Sequence, residues 1–596
     1  MNETRKSAMR RARDPAFIQH YFRGAGLDIS VENDPLSAYA DIFPFIERMT
    51  TWNHAQGDAL HLQDVGDCSY DFVHASYYLA LADNPAHALA RWLDVVKPGG
   101  HLIFTVPDED LYGKGVWPNR FAPDHKSSFT IAKPKDPTRL PRSINVLDLV
   151  NALLPVASCE RITLVRDGYD DNHPDIDQTA EGAAECAIEV VLRKRDVPSL
   201  WALLDEAMQA DNAEAGLAAG HRARTLYPYR FDAYHHSMMQ LLRWGVPEQE
   251  VAMWDQAAAY LPHHRGVTLY HWLSKVLVGQ LHEGFQIREI QHLGRSPWQR
   301  RTKVQPPAFI PAWTGQPLKG KSIVIWSEFG LGDEIFFFRF ARILRERCGA
   351  ARVSVVCQSP LLELFKASGA ADIVTDIEHL ADLPTSDYWV YPHAIPAWLP
   401  LDFDALPPTV PYLRAPAGQN LPAQLAQAPA GKLKVGIAFK GNPTQENDTA
   451  RSLSSLSRLD RLFELEGVEF FSLQKGEGAA ETAQYAQERK NFHDLGPEFQ
   501  NMAQTATAIS ALDLIITTDT SIAHLAGALG KPVWVMISLL CDWRYHYRRE
   551  DNPWYPTMRV FRNGWNNGDS RDWSAVVERI RNELQTLQSQ STRHDG

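Results

Sequence analysis

The sequence predicts an α/β multidomain protein in which two Rossmann-like regions flank a helical stretch. Three observations carry that reading. Strand-length apolar runs alternate with helix-like runs up to about residue 195, the pattern from 196 to 304 is wholly helical, and strands and helices alternate again from 305 to 596. With 596 residues, 44% of them hydrophobic and 22% charged, the chain is long enough for several packed cores. A net charge of -12 with only short basic runs argues against a nucleic-acid partner. The six cysteines (Cys68, Cys159, Cys186, Cys348, Cys357 and Cys541) stand far apart without CxxC spacing. They suggest neither a zinc site nor a disulfide framework, and they fit a reducing cytoplasm. The opening "MNETRKSAMRRARDPAF" is basic but lacks the apolar centre of a signal peptide, and no apolar run approaches a bilayer span. Any membrane contact is therefore expected to be peripheral.

Residues 1–195 read in the order "GLDIS", "SYDFVHASY", the helix "NPAHALARWLDVV" and "KPGGHLIFTVPD". That order resembles the class I S-adenosylmethionine-dependent methyltransferase fold. The resemblance implies a cofactor site built on a glycine-rich turn after the first strand, where backbone can approach the methionine moiety. Here Asp28 is followed by Ser30, Val31, Glu32 and Asn33 in place of the usual glycines. The acid expected at the end of the second strand is replaced by Asn53, and Asp58 remains near the adenine side. Asp28, Asn53 and Asp58 are thus the remnant of an S-adenosylmethionine site, and a degenerate domain that does not methylate is expected.

From 196 to 304, runs such as "SLWALLDEAMQA", "FDAYHHSMMQLLRWG" and "GVTLYHWLSKVLVGQ" are helical. Pro228 and Pro262 lie 34 residues apart, as do Gly245 and Gly279. That spacing is the tetratricopeptide period, in which helix pairs stack on their neighbours; an ordinary helical linker domain is the alternative. Tyr234, Trp254, Tyr260, Tyr270 and Trp272 read as core aromatics. The pairs His235-His236 and His263-His264 are adjacent in sequence and cannot share a helix face as metal ligands.

After the link "QPPAFIPAWTGQPLKGK", two Rossmann-like halves follow, at 305–430 and 431–596. The first holds "SIVIW", "RVSVVCQ", "ADIVTD" and "DYWVYP", and the second "KVGIAFKGN", "VEFFSLQKGEG", "LDLIITTD" and "PVWVMI". In a parallel sheet the ligand sits beyond the carboxyl ends of the strands, where a helix start offers unpaired N–H groups to an anion. "TTDTSIAHLAGALGKPVWV" supplies such a start. Asp519 or Thr520 can cap it, Thr520 and Ser521 can donate hydroxyl hydrogen bonds, and His524 falls one turn further along. Lys440 in "FKGN" and Lys475 in "LQKG" each follow a strand, and Arg451 can add positive charge for a leaving diphosphate without a metal. The triplet "DFD" at Asp402–Asp404 has no strand before it and does not read as a metal site.

"GLGDEI", "GIAFKGNP", "SLQKG", "TDTSIAHLAGALGKPVW" and "DWRYHYRREDNPWYP" together resemble the C-terminal region of bacterial tetratricopeptide-repeat glycosyltransferases related to glycosyltransferase family 9, the heptosyltransferases. The resemblance covers about residues 305 to 590 and implies a GT-B fold with a nucleotide-sugar donor. It places the "GD" motif on Gly332 and Asp333. Asp333 is then the candidate general base for an acceptor hydroxyl, with Glu334 as the fallback; a helix cap is the alternative role for Asp333. Gly332, Lys440, Asn442, Arg451, Gln474, Lys475, Asp519, Thr520, Ser521 and His524 form the expected nucleotide-sugar site. The expectation is a cytoplasmic, metal-independent, inverting glycosyltransferase that needs no cofactor, with a glycan or protein acceptor held by the helical repeats. Two rivals are a bifunctional methyl- and glycosyltransferase acting on a surface polysaccharide and a non-catalytic binding scaffold.

Overall fold

The structure, a computed structural model, describes residues 3–594 except 31–33, 53–56, 132, 134–137, 181–183, 263, 293–303, 400–409, 446–447, 539–540 and 565–570. The expected turn at Val31–Asn33, Asn53, His263 and the "DFD" loop lie outside the described residues. The chain divides into two compact units, Met1–Val246 with Ala252–Val267, and Pro247–Val251 with Thr268–Gly596.

The first unit is built on a six-stranded sheet in the order Ile46–Trp52, Gly24–Ile29, Tyr70–Ser76, Val96–Pro107, Ala187–Lys194, Ala157–Val165. Every neighbouring pair runs parallel except those made by Ala187–Lys194, which is reversed against both its neighbours. Gly26 is required by packing, since a Cβ there would sit 2.1 Å from the Phe72 ring. "KPGG" is a bulge within the strand Val96–Pro107: Tyr70 pairs with Val96, and the register then jumps to Phe72 with His101. Asn84 caps the helix Pro85–Val95 by accepting the His87 N–H.

The helical stretch is divided between the two units. Leu200–Gln209, Ala213–Leu226 and Phe231–Arg243 pack in succession in the first, and Leu281–His292 belongs to the second. The two glycines of the 34-residue spacing fall at equivalent places, since Gly245 and Gly279 each follow a helix end with positive φ, +70° and +94°. Pro228 and Pro262 each lie between two helices. Tyr234 and Trp254 are fully buried, as expected of core aromatics.

The second unit contains two all-parallel sheets. The first has the order Ile373–Asp376, Arg352–Cys357, Ser322–Ile325, Tyr388–Val390. The second has the order Phe492–Asp494, Val468–Ser472, Leu433–Ala438, Leu514–Thr518, Val533–Ile537, Met558–Arg562. In each, strand order reverses beside the first strand, which creates a crevice at the carboxyl ends of the central pair. Those ends lead into Ser327–Asp333 and His393 in one sheet, and into Lys440 and Asp519–Ser521 in the other. Among the described residues, no helix is long and apolar enough to cross a membrane.

Candidate active site

Gly330 opens the helix Leu331–Phe337, and Asp333 reaches back so that its Oδ2 accepts the Gly330 N–H at 3.1 Å. Its other oxygen, Oδ1, accepts from Arg544 Nη2 at 2.6 Å and lies 3.6 Å from His393 Nε2. Arg544 stands in the loop after the strand Val533–Ile537, where its Nη1 also meets both oxygens of Asp542 at 3.0 Å. The rings of Phe336 and Trp543 cover the guanidinium at 4.6 and 4.5 Å. Burial alone would raise the Asp333 carboxyl, but Arg544 first and then the Gly330 N–H hold it below its ordinary value. Asp333 is thus an ionised carboxylate at neutral pH, and it caps its helix with one oxygen while the other faces the crevice groups.

His393 follows the strand Tyr388–Val390, and its Nδ1 lies 3.1 Å from Glu328 Oε2. A carboxylate only accepts, so the network assigns the proton to Nδ1 and leaves the Nε2 lone pair directed toward Asp333. Burial pushes the imidazole below its ordinary value despite Glu328, which keeps the ring neutral. Asp333 Oδ1 and His393 Nε2 are therefore two acceptors facing each other, and one hydroxyl donor can reach both.

Glu334, expected as the fallback base, is a framing residue instead. It is 5% exposed, and its oxygens accept from Ser327 Oγ, from the Gln358 N–H at 2.8 Å and from Gln358 Nε2 at 3.3 Å. Burial lifts it to about 7, and both its oxygens already accept hydrogen bonds from the loops around it. Gln474 is corrected in the same way. Its Oε1 accepts the Phe439 and Lys440 N–H groups at 3.0 and 3.2 Å, and its Nε2 donates to the Lys440 and Glu477 carbonyls, so it shapes the "FKGN" loop from beneath.

On the second sheet, Thr520 occupies the cap position of the helix Ser521–Ala528, but its hydroxyl lies 3.1 Å from Thr517 Oγ1 and makes no capping bond. The N–H groups of that first turn therefore have no side-chain cap. Asp519 does not cap either: it accepts from the Tyr545 hydroxyl at 2.9 Å, and burial with Asp542 nearby raises its carboxyl. Arg451 pairs loosely with Asp448 at 3.4 Å and acts electrostatically on Asp519 and His524. Lys440 is bound to Glu481 at 2.9 Å, Lys475 donates to the Phe499 carbonyl, and Asn442 holds the Thr444 N–H in a local turn at 3.0 Å. These three side chains are thus engaged away from the helix start.

His524 is buried, with Nδ1 3.3 Å from the Tyr555 hydroxyl, and burial first, then Arg544, lowers it to about 3. Its ring faces Gly332. A Cβ on Gly332 would lie 3.1 Å from His524 Cδ2 and 3.4 Å from Ser521 Cα, so the two helix starts approach closely there and a side chain would have to displace the His524 ring by a few tenths of an ångström. His393, Glu328, Arg544, Asp542 and Tyr545 escaped the sequence reading. His393 carried a usable signal, since it sits just beyond a strand end at a switch point, and Asp542, Arg544 and Tyr545 fall in the quoted "DWRYHYRREDNPWYP", folded into a short 3₁₀ turn at Trp543–Tyr545, where the motif named the stretch but not which side chain faces the crevice.

In the first unit, Asp28 is fully buried and spoken for: Oδ1 lies 2.8 Å from His74 Nδ1, and Oδ2 accepts the Leu36 N–H at 2.7 Å. His74 in turn meets Arg11, which pairs with Glu189 at 2.6 Å. Asp28 is therefore corrected from a cofactor contact to a member of this interior network. Asp58 is exposed, lies 2.5 Å from His61 Nδ1, and lines an open cavity of about 560 Å³ with Tyr78, Leu81 and Lys126.

Two parallel sheets whose switch points converge on one set of charged residues define the GT-B class of fold. Residues 459–568 match glycosyltransferase family 9 (heptosyltransferase), and residues 14–141 match a methyltransferase domain. The chain thus carries a glycosyltransferase domain of family 9 and a methyltransferase domain. Over 272 residues it is 28% identical to protein FlbA of Caulobacter vibrioides, an alignment covering 42% of this chain and 44% of that protein. The chain therefore spans less than half the length of that curated relative. Among solved structures it is similar to the Escherichia coli ADP-heptose lipopolysaccharide heptosyltransferase II, at 16% identity over 46% of this chain and 99% of that one, with a TM-score of 0.33. A family 9 glycosyltransferase of Veillonella parvula is similar at 14% identity, with the same coverage and TM-score.

Proposed function

We propose that the second unit transfers a sugar from a nucleotide-sugar donor to a hydroxyl of a glycan or protein, in the cytoplasm and without a metal or cofactor. The observation that carries this is the placing of Asp333 beside His393 while Gly332 brings the open start of the helix Ser521–Ala528 against the same helix turn. A single displacement with inversion needs one proton acceptor on the acceptor side and one anion site on the donor side, and this arrangement offers both. As the acceptor oxygen bonds to the anomeric carbon, the bond from that carbon to the diphosphate oxygen breaks. The hydroxyl proton passes to the Asp333–His393 pair. The charge left on the diphosphate falls to the N–H groups at Ser521 and to Arg451.

The test is turnover of a panel of nucleotide sugars by the full chain in the presence of a chelator, read as nucleoside diphosphate release. Release that persists unchanged in Asp333→Asn would remove Asp333 as base, and release that depends on added magnesium would overturn the metal-free reading. Within the helical stretch, the equivalent positions of Gly245 and Gly279 support tetratricopeptide-like repeats. A second reading, a bifunctional methyl- and glycosyltransferase, is favoured by the methyltransferase match at 14–141. The engagement of Asp28 by His74 and Leu36 supports the domain having lost its methyl donor. A thermal-shift screen with S-adenosylmethionine and nucleoside diphosphates separates these readings from a scaffold that binds neither.

A further inference from the structure

In the first unit, three side chains from three separate elements converge on the sheet, well apart in sequence. His20 ends the helix Pro15–Tyr21, His101 follows the "KPGG" bulge in the strand Val96–Pro107, and Glu160 lies in the strand Ala157–Val165. The register of that last strand jumps between Cys159 and Arg161, so Glu160 is itself the extra residue of a bulge, a feature that re-aims a side chain. Glu160 Oε2 lies 3.6 Å from His101 Nε2 and 3.8 Å from His20 Nε2, and one ligand atom from each residue lies within 4.8 Å of the others. His101 Nε2 is shut off from solvent and makes no hydrogen bond. These separations are too long for hydrogen bonds. They are close to the ~3.3 Å that separates ligand atoms bound at about 2.0 Å on a tetrahedral ion.

We propose that His20, His101 and Glu160 form a binding site for a divalent transition-metal ion that fastens the helix Pro15–Tyr21 to the sheet. Two neutral imidazoles and one carboxylate suit zinc and its neighbours and disfavour magnesium and calcium, which take oxygen ligands. The helix is already held for the purpose: Asp14 caps it by accepting the Phe17 N–H at 3.1 Å, and Phe17 and Ile18 are buried. The Tyr21 ring packs edge-on against both His20 and His101, at 4.7 and 5.1 Å, and fixes their planes. His20 is 64% exposed, which leaves the fourth position to water. Arg193 acts on His101 from the neighbouring strand and opposes a cation, and the Glu160 charge offsets it. The site is independent of the glycosyl-transfer reading, because all its ligands lie in the other unit.

The full chain, stripped with a chelator and dialysed, is titrated with zinc alone by calorimetry and followed by thermal unfolding. The expected result is one zinc per chain with a rise in Tm that magnesium does not reproduce, and a loss of affinity of at least tenfold in both His20→Ala and Glu160→Gln. His20 is exposed, so His20→Ala should unfold at the wild-type temperature without metal, which separates lost binding from lost structure. Zinc binding weaker than millimolar in the wild type, or binding retained within tenfold in either variant, would overturn the proposal.

Discussion

Arg544, from the loop after one sheet's fifth strand, donates to Asp333 at the helix start of the other sheet across 2.6 Å. The same guanidinium binds Asp542 with its second nitrogen. Replacing Asp333 by Asn keeps the cap on Gly330 but removes the basic carboxylate and half of this ion pairing. Single-turnover rate with a competent donor should fall on the order of a hundredfold or more, while donor affinity stays nearly constant. A variant with wild-type turnover would reduce Asp333 to a helix cap.

His393 should share that role. His393→Gln preserves bulk but not a basic lone pair, so turnover should drop by roughly tenfold to a hundredfold, with little change in KM. Glu328→Gln keeps an oxygen that can accept the Nδ1 proton but removes the carboxylate charge beside the ring, and it should shift the acid limb of the rate profile rather than abolish activity. If both variants lose only stability and keep the wild-type pH profile, the dyad is structural.

Nucleotide affinity should rest on Arg451 more than on the lysines. Lys475 and Lys440 are held by the Phe499 carbonyl and by Glu481, whereas Arg451 has one long contact with Asp448. Arg451→Ala should weaken the nucleoside diphosphate complex by about 1 to 3 kcal/mol, the worth of a charge-assisted hydrogen bond. A larger loss in Lys475→Ala, measured by calorimetry, would mean that Lys475 leaves Phe499 when donor binds.

His524 gives a pH prediction with a definite sign. Its folded value is lowered to about 3, below the ordinary 6.5, so the fold favours the neutral ring. That contribution is present above pH 6.5 and is lost as pH falls toward 3. His524→Gln should therefore lose less stability than wild type between those limits, as seen by calorimetric Tm against pH. Parallel acid slopes for the two proteins would contradict this.

S-adenosylmethionine should not bind the first unit more tightly than roughly millimolar, about -4 kcal/mol, because Asp28 is committed to His74 and Leu36. Micromolar binding by calorimetry would show that the open cavity beside Asp58 is enough on its own.

What the sequence made legible follows from what is local. Strand–helix alternation, the helix of "NPAHALARWLDVV" and the junction at Thr518–Ser521 are short-range features, and each appears where the pattern places it. Side-chain commitments are not local. Gln474 and Lys475 are neighbours on one loop, yet one props up the "FKGN" backbone and the other turns to Phe499, and neither fate depends on spacing. Arg544 is the strongest case, since its partner Asp333 is 211 residues away and only the folded sheets bring them together. The setting of Glu334 was hidden for the same reason: its partners Ser327 and Gln358 come from two strand ends.

Gly332 has a last consequence. Where the helices Leu331–Phe337 and Ser521–Ala528 meet, a Cβ on Gly332 would lie 3.1 Å from the His524 ring and 3.4 Å from the Ser521 Cα, so a larger residue there would press the two helix starts apart. Asp333 is the next residue along, and the uncapped helix turn begins at Ser521. A substitution at Gly332 that widens this contact would therefore lengthen the gap between the proposed proton acceptor and the proposed anion site, the distance on which an in-line displacement depends.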